Sequence, residues 1–263
     1  IWVMSTIKKN QRLILQKLGI EKLNPMQDEA KLAIHSNSET VLLSPTGTGK
    51  TLAFLLPLIQ NLDANSKEVQ ALILVPSREL AIQIEQVIRD MGAGYKTNAV
   101  YGGKTVSKDK TDLKHRPAIL IGTPGRVVDH IRKETFTTAF IQTLILDEFD
   151  KSLEVGFENE MKEIFTALPA LTKKVLTSAT HEIEIPDFID LQDPVTIKYT
   201  DKGDSELTVK RVLSPGKDKL DVLVSLLRHI GDKQGVIFCN FKESIQRVSD
   251  FLNHHKIHHG CFM

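Results

Sequence analysis

Short aliphatic and β-branched runs recur along most of the chain, at Val41–Leu43, Ala71–Val75, Ala99–Tyr101, Ala118–Ile121, Thr143–Leu146, Lys174–Thr177 and Val195–Lys198. Between most of them lie longer stretches with apolar residues at helical spacing. Arg78–Met91 (Leu80, Ile84, Val87, Ile88, Met91) and Glu158–Leu168 (Met161, Ile164, Phe165, Leu168) are examples. Strands that alternate with helices pack best as a parallel sheet with helices on both faces, so the expected fold class is α/β. In such sheets ligands gather beyond the carboxyl ends of the strands. Chemistry is therefore to be sought directly behind each run.

Two of these positions stand out. Ser44-Pro45-Thr46-Gly47-Thr48-Gly49-Lys50-Thr51 follows Val41–Leu43, and Leu52–Leu56 continues it as a helix. Glycines here let backbone N–H groups close around phosphate oxygens at a helix N-terminus. Thr46, Gly47, Thr48 and Gly49 are then the cradle, Lys50 reaches the β/γ-phosphates, and Thr51 ligates Mg²⁺. Asp147-Glu148 follows Leu144–Leu146. An acidic pair at a strand end suits metal holding by Asp147 and orientation of the attacking water by Glu148. The catalytic candidates are Lys50, Asp147 and Glu148, and the expected cofactors are a nucleoside triphosphate and Mg²⁺.

Composition narrows the class further. A formal charge of +1 over 263 residues gives no global attraction for nucleic acid, so any such site must be local. Two cysteines, Cys239 and Cys261, are too few for a disulfide framework and fit a reducing cytoplasm. No apolar run approaches the roughly 20 residues of a membrane helix, and Ile1-Trp2-Val3-Met4 is too short for a signal peptide. His254, His255, His258 and His259 share a helix spacing that invites a metal, although a helix end is the plainer account.

The expected domains are 1–199, a polar and turn-rich linker over 200–218, and an incomplete second domain over 219–263. In the last, Leu220–Ile230 and Phe241–His255 read as helices and Gly235–Asn240 as a buried strand.

Taken in order, the strand ends and loops read Asn24-Pro25-Met26-Gln27, Ser44–Thr51, Pro76–Ala81, Gly102-Gly103, Thr123-Pro124-Gly125-Arg126, Asp147-Glu148-Phe149-Asp150, Ser178-Ala179-Thr180 and Val236–Asn240. This series resembles the motifs of DEAD-box RNA helicases, in the family's order. The resemblance implies a RecA-like sheet with helices on both faces, followed by the start of a second RecA-like domain. It implies that Gln27 reads adenine, with Trp2 as the upstream aromatic, and that Asp150, Ser178 and Thr180 couple the nucleotide to unwinding. It further implies RNA contacts from Pro76, Arg78, Gly102, Gly103, Thr123, Gly125 and Arg126, directed at the backbone and indifferent to sequence.

Departures from the family's pattern are Phe149 for Ala, Ser77 for Thr and Ser44 for Ala. The chain stops before the family's later motifs, whose arginines complete the ATP site. This stretch is therefore expected to bind ATP, and RNA weakly, without efficient turnover, as a monomer. The leading function is an ATP-dependent RNA helicase, with a non-catalytic ATP-switched RNA clamp as the alternative and a DNA translocase as a third reading.

Overall fold

The computed structural model describes residues 11–103, 113–180, 184–199 and 208–262; Trp2 lies outside them. β1 (Glu39–Leu43), β2 (Ala71–Leu74), β3 (Thr97–Val100), β4 (Ile119–Gly122), β5 (Thr143–Leu146), β6 (Lys173–Ser178) and β7 (Val195–Lys198) make one sheet, ordered β3-β4-β2-β5-β6-β1-β7. Every neighbouring pair is parallel. The strands fall where the aliphatic runs predict them, to within two residues at either end.

Alternation along the strands sorts their side chains to two faces. Ala71 and Ile73 of β2, Ile119 and Ile121 of β4 and Ile145 of β5 belong to one apolar cluster. Leu72 and Leu74, Leu120, and Leu144 and Leu146 belong to the other. That is the period-2 geometry of a strand buried on both sides. Helices supply the covering layers: α1 over residues 11–17, α2 (Pro25–Ser36), α3 (Lys50–Asn61), α4 (Arg78–Met91), α5 (Pro124–Arg132), α6 (Phe149–Glu154) and α7 (Glu158–Thr166).

Local chemistry explains the sharp helix ends. Ser77 caps α4 by accepting from the N–H of Leu80, and Gly92 closes it in the left-handed conformation. Asn24 and Gln27 form a reciprocal capping box at the start of α2, with Pro25 in the first turn.

The chain divides into two compact units, Ile1–Gly203 and Asp204–Met263. The second contains α8 (Leu220–Ile230) and α9 (Lys242–His254), close to the helices predicted there. The buried strand predicted over Gly235–Asn240 is not formed. That segment is unpaired, and Val236 and Phe238 are 77% and 92% exposed. A strand is held by its ladder, and the described residues of this unit contain no other strand to supply one. No helix among the described residues is long and apolar enough to cross a membrane.

Candidate functional site

β6 lies between β1 and β5, so the two chemistry-bearing turns flank a single strand end. The N–H of Ser44 donates to the Ser178 carbonyl at 3.0 Å, which extends the β1–β6 ladder to the head of the phosphate loop. Within that loop Gly47 and Gly49 have φ of +80° and +85°, a region costly to any residue with a side chain. Gly49 is doubly constrained, because a Cβ there would lie 2.3 Å from the Gln27 amide nitrogen. The loop is folded on itself. Lys50 Nζ donates to the carbonyls of Ser44 and Pro45, at 2.5 and 2.8 Å. Thr48 Oγ1 donates to the Pro45 carbonyl at 2.9 Å and lies 2.9 Å from Ser44 Oγ. Thr46 and Thr51 belong to the same turn, which ends in the first residues of α3.

Gln27 is brought to this loop with a structural task already in hand. Its Oε1 accepts from the N–H of Asn24 at 3.0 Å, and its Nε2 donates to the Gly49 carbonyl at 3.2 Å. Asn24 Nδ2 adds a bond to the Thr48 carbonyl at 3.0 Å. A carboxamide carries two donors and two acceptor lone pairs, so one of each remains by count. The helix-start role and an adenine-reading role are compatible on the same side chain.

Asp147 is 4% exposed, at the end of β5. Burial pushes its carboxyl up to about 6, against the hydrogen bond from Thr177, with Glu148 adding to the rise. Lys50 is also buried, and burial draws its ammonium down while Asp147, Glu148 and Asp150 oppose that. Lys50 nevertheless directs its hydrogen bonds to loop carbonyls and not to a carboxylate. A buried carboxylate beside a phosphate-type loop, whose hydrogen bonds from Thr177 and the Glu148 backbone do not offset its burial, is the donor chemistry a hard cation needs. The residues present fit Mg²⁺, with Thr51 and Asp147 as its candidate holders. Among the described residues no group of three His, Cys, Asp or Glu could hold a metal ion by itself. The histidine run does other work: His255 Nδ1 lies 2.9 Å from the Phe251 carbonyl, and His259 Nε2 lies 2.8 Å from Ser249 Oγ.

Glu148 adopts φ 48° and ψ 50° and sits at the head of α6. Left-handed backbone is uncommon for a residue with a Cβ, and it concentrates at sites where the surroundings hold it. Thr180 Oγ1 donates to Asp150 Oδ2 at 3.3 Å, and Ser178 Oγ accepts from the Thr180 N–H at 2.9 Å. Asp150 Oδ1 is buried with no hydrogen-bond partner.

The RNA candidates assemble at neighbouring strand ends. Gly102, Gly125 and Arg126 line one cavity of about 490 Å³ together with Asp129, Arg132 and Glu163. Arg78 lies beside Gly103, its Nη1 3.9 Å from where a Cβ would stand, while its Nε pairs with Glu79 at 3.3 Å. Pro76 precedes the α4 cap, and Thr123 occupies the N-cap of α5.

Residues 24–188, more than half of the chain, match the DEAD/DEAH box helicase family. The chain belongs to that family. Over 239 residues it is 37% identical to the ATP-dependent RNA helicase FAL1 of Candida albicans, an alignment spanning 88% of this chain and 60% of that protein. It is 38% identical over 237 residues to eukaryotic initiation factor 4A-3 of Nicotiana plumbaginifolia, spanning 86% and 60%. Its structure is similar to that of the DEAD-box helicase Mss116 bound to ssRNA and UDP-BeF, with a TM-score of 0.63 and 28% identity over 72% of this chain and 43% of that one. The chain thus spans about 60% of the length of these curated relatives.

Among DEAD/DEAH box residues, Phe149 packs fully buried in the apolar cluster with Leu144, Leu146 and Leu176. Asp150 still reaches Thr180, so the bulky neighbour does not displace it. Two residues escape a reading of the sequence. Gly122 ends β4 under a close approach, where a Cβ would fall 2.7 Å from the Val100 carbonyl and 2.6 Å from Val127. Thr177 is fully buried, donates from Oγ1 to Asp147 Oδ1 at 2.5 Å and accepts from the Glu148 N–H at 3.2 Å. Its signal was a hydroxyl inside the otherwise aliphatic run Val175-Leu176-Thr177, which strand propensity absorbs because threonine is β-branched.

Proposed function

We propose that this chain carries the ATP-binding half of an ATP-dependent RNA helicase, together with one side of its RNA track. The observation that supports the reading most is the juxtaposition of the phosphate-type loop Ser44–Thr51 with the buried Asp147 and the adjoining Glu148, across the end of β6. In this reading Lys50 exchanges its bonds to the Ser44 and Pro45 carbonyls for phosphate oxygens. The N–H groups of Gly47 and Gly49 turn to the phosphates, and Gln27 offers its remaining donor and acceptor to the adenine edge. Glu148 orients water for attack on the terminal phosphorus. Thr51 and Asp147 hold Mg²⁺, which when bound neutralises charge developing on the phosphate oxygens.

RNA backbone lies along Pro76, Arg78, Gly102, Gly103, Thr123, Gly125 and Arg126, which fits a charge of +1 because contact is local. Asp150, Ser178 and Thr180 carry the nucleotide state towards that track. These residues acting without the remainder present in the relatives bind ATP and turn it over slowly. The alternative, an RNA clamp switched by ATP binding, draws support from the unpartnered Asp150 Oδ1 and the buried Phe149.

The decisive test is Mg²⁺-ATP binding and hydrolysis with and without single-stranded RNA, using Lys50→Ala as the blank. ATP binding that Lys50→Ala abolishes supports the nucleotide reading, and binding untouched by that change refutes it. RNA-stimulated phosphate release above the blank favours the helicase over the clamp.

A further inference from the structure

One buried hydroxyl bonds to both residues of the acidic pair, to the carboxylate of Asp147 and to the backbone N–H of Glu148. Thr177 lies at the end of β6, beside β5, whose last residue Leu146 is in register with Leu176. Its single proton points to Asp147 Oδ1 at 2.5 Å, and its oxygen accepts from the N–H of Glu148 at 3.2 Å. The polarity is fixed by the partners, since a backbone N–H can only donate and an ionised carboxylate can only accept.

The first bond limits rotation of the Asp147 carboxylate about its last torsion. The second holds the peptide of Glu148, a residue in the left-handed region that needs outside support. Farther along the same segment, Thr180 Oγ1 donates to Asp150 Oδ2. Hydroxyls from the end of β6 therefore grip the acidic turn on both sides of Glu148. Packing does not require oxygen at this place: valine has the same branched shape, and Val175 fills the fully buried position two residues earlier.

We propose that Thr177 is a positioning residue of the nucleotide site, which aims the Asp147 carboxylate at the metal and fixes the peptide from which the Glu148 side chain reaches the water. Because it belongs to β6, movement of the Ser178–Thr180 segment is felt directly at the Asp147 carboxylate and the Glu148 peptide. The proposal rests on the ATPase reading above.

Its test is calorimetric titration of the full chain with ADP, once with Mg²⁺ and once with EDTA. The wild-type chain binds ADP more tightly with Mg²⁺. In Thr177→Val that Mg²⁺ enhancement falls about tenfold, the scale of a hydrogen bond to a charged group, while ADP affinity in EDTA stays within about twofold. Thr177→Ser, which restores the hydroxyl, restores the enhancement.

Retention of the full enhancement in Thr177→Val overturns the proposal, as does an equal loss in Mg²⁺ and EDTA, the mark of a merely structural role. A wild-type chain that binds ADP without any Mg²⁺ enhancement overturns it too. A wild-type chain that binds no ADP refutes the ATPase reading itself. If the valine variant does not fold, the same pair of titrations on Thr177→Ala decides.

Discussion

The two ends of the same sheet treat buried charge in opposite ways. At the amino-terminal end, Glu39 opens β1 and Lys173 and Lys174 open β6. Glu39 accepts from the N–H groups of Gln192 and Asp193, at 2.7 and 3.1 Å, and pairs with Lys174 at 3.1 Å. Burial pushes its carboxyl up, but those three partners outweigh burial and hold it below the ordinary range. Lys173 donates to the carbonyls of Ile34 and Asn37 and so closes the C-terminal end of α2.

At the carboxyl-terminal end, Asp147 rises to about 6, Asp150 leaves one oxygen unpartnered, and Glu148 sits in the left-handed region. Charge with its partners built in stabilises a fold. Charge left short of a partner costs stability unless a ligand supplies one, and such positions concentrate at functional sites.

The contrast can be broken by substitution. The largest effect belongs to Phe149→Ala, which introduces the residue usual in the family. Phe149 lies at the carboxyl-terminal end but is fully buried packing, so its loss is expected to cost about 3–5 kcal/mol in urea unfolding. A cost under about 1 kcal/mol would mean that Phe149 serves the site and not the core.

Glu39→Ala comes next. It strips two N–H groups and the Lys174 ammonium of their partner and should cost about 2–4 kcal/mol at pH 7. A depressed carboxylate pKa contributes stability that is present above the ordinary value of 4.5 and lost as pH falls through the folded value. The difference between Glu39→Ala and wild type should therefore narrow in acid.

Asp147→Asn should act in the opposite direction, raising stability by about 1–3 kcal/mol at pH 8 in EDTA. With a folded value near 6 against an ordinary 3.8, the native state holds its proton longer than the unfolded chain. The contribution of Asp147 is then full below about pH 3.8 and lost as pH rises through about 6. Wild type and variant should converge below about pH 3.8, part as pH rises from there to about 6, and stay a constant distance apart above it. Destabilisation by Asp147→Asn at pH 8 would erase the contrast between the two ends.

The smallest effect is Ser44→Ala, which removes the hydroxyl contact to Thr48 that helps keep the loop folded on itself. Nucleotide affinity should rise by about two- to tenfold, the scale of one neutral hydrogen bond. Weaker binding would show that Ser44 Oγ serves the bound state.

Legibility differed between these regions for physical reasons. Every strand of the sheet could be read from an aliphatic run because strands buried on both faces admit little else. The phosphate loop could be read because Gly47 and Gly49 are conformational requirements that only glycine meets cheaply. The Glu39 network spans more than 130 residues of sequence, and nothing local marks it. Gly235–Asn240 misled because its aliphatic pattern describes what a strand would bury, whereas pairing depends on a neighbour.

What the sequence determined by itself was the set of local conformations: strand periodicity, helix caps, and the turns whose glycines and paired acids imply phosphate chemistry. What tertiary structure alone decided was adjacency. Placing β6 between β1 and β5 set Thr177 against Asp147 and Glu148, and packing α2 against α3 set Gln27 beside Gly49. A hydrogen bond depends on separation and angle in space, and residues 30 or 22 apart along the chain carry no trace of either.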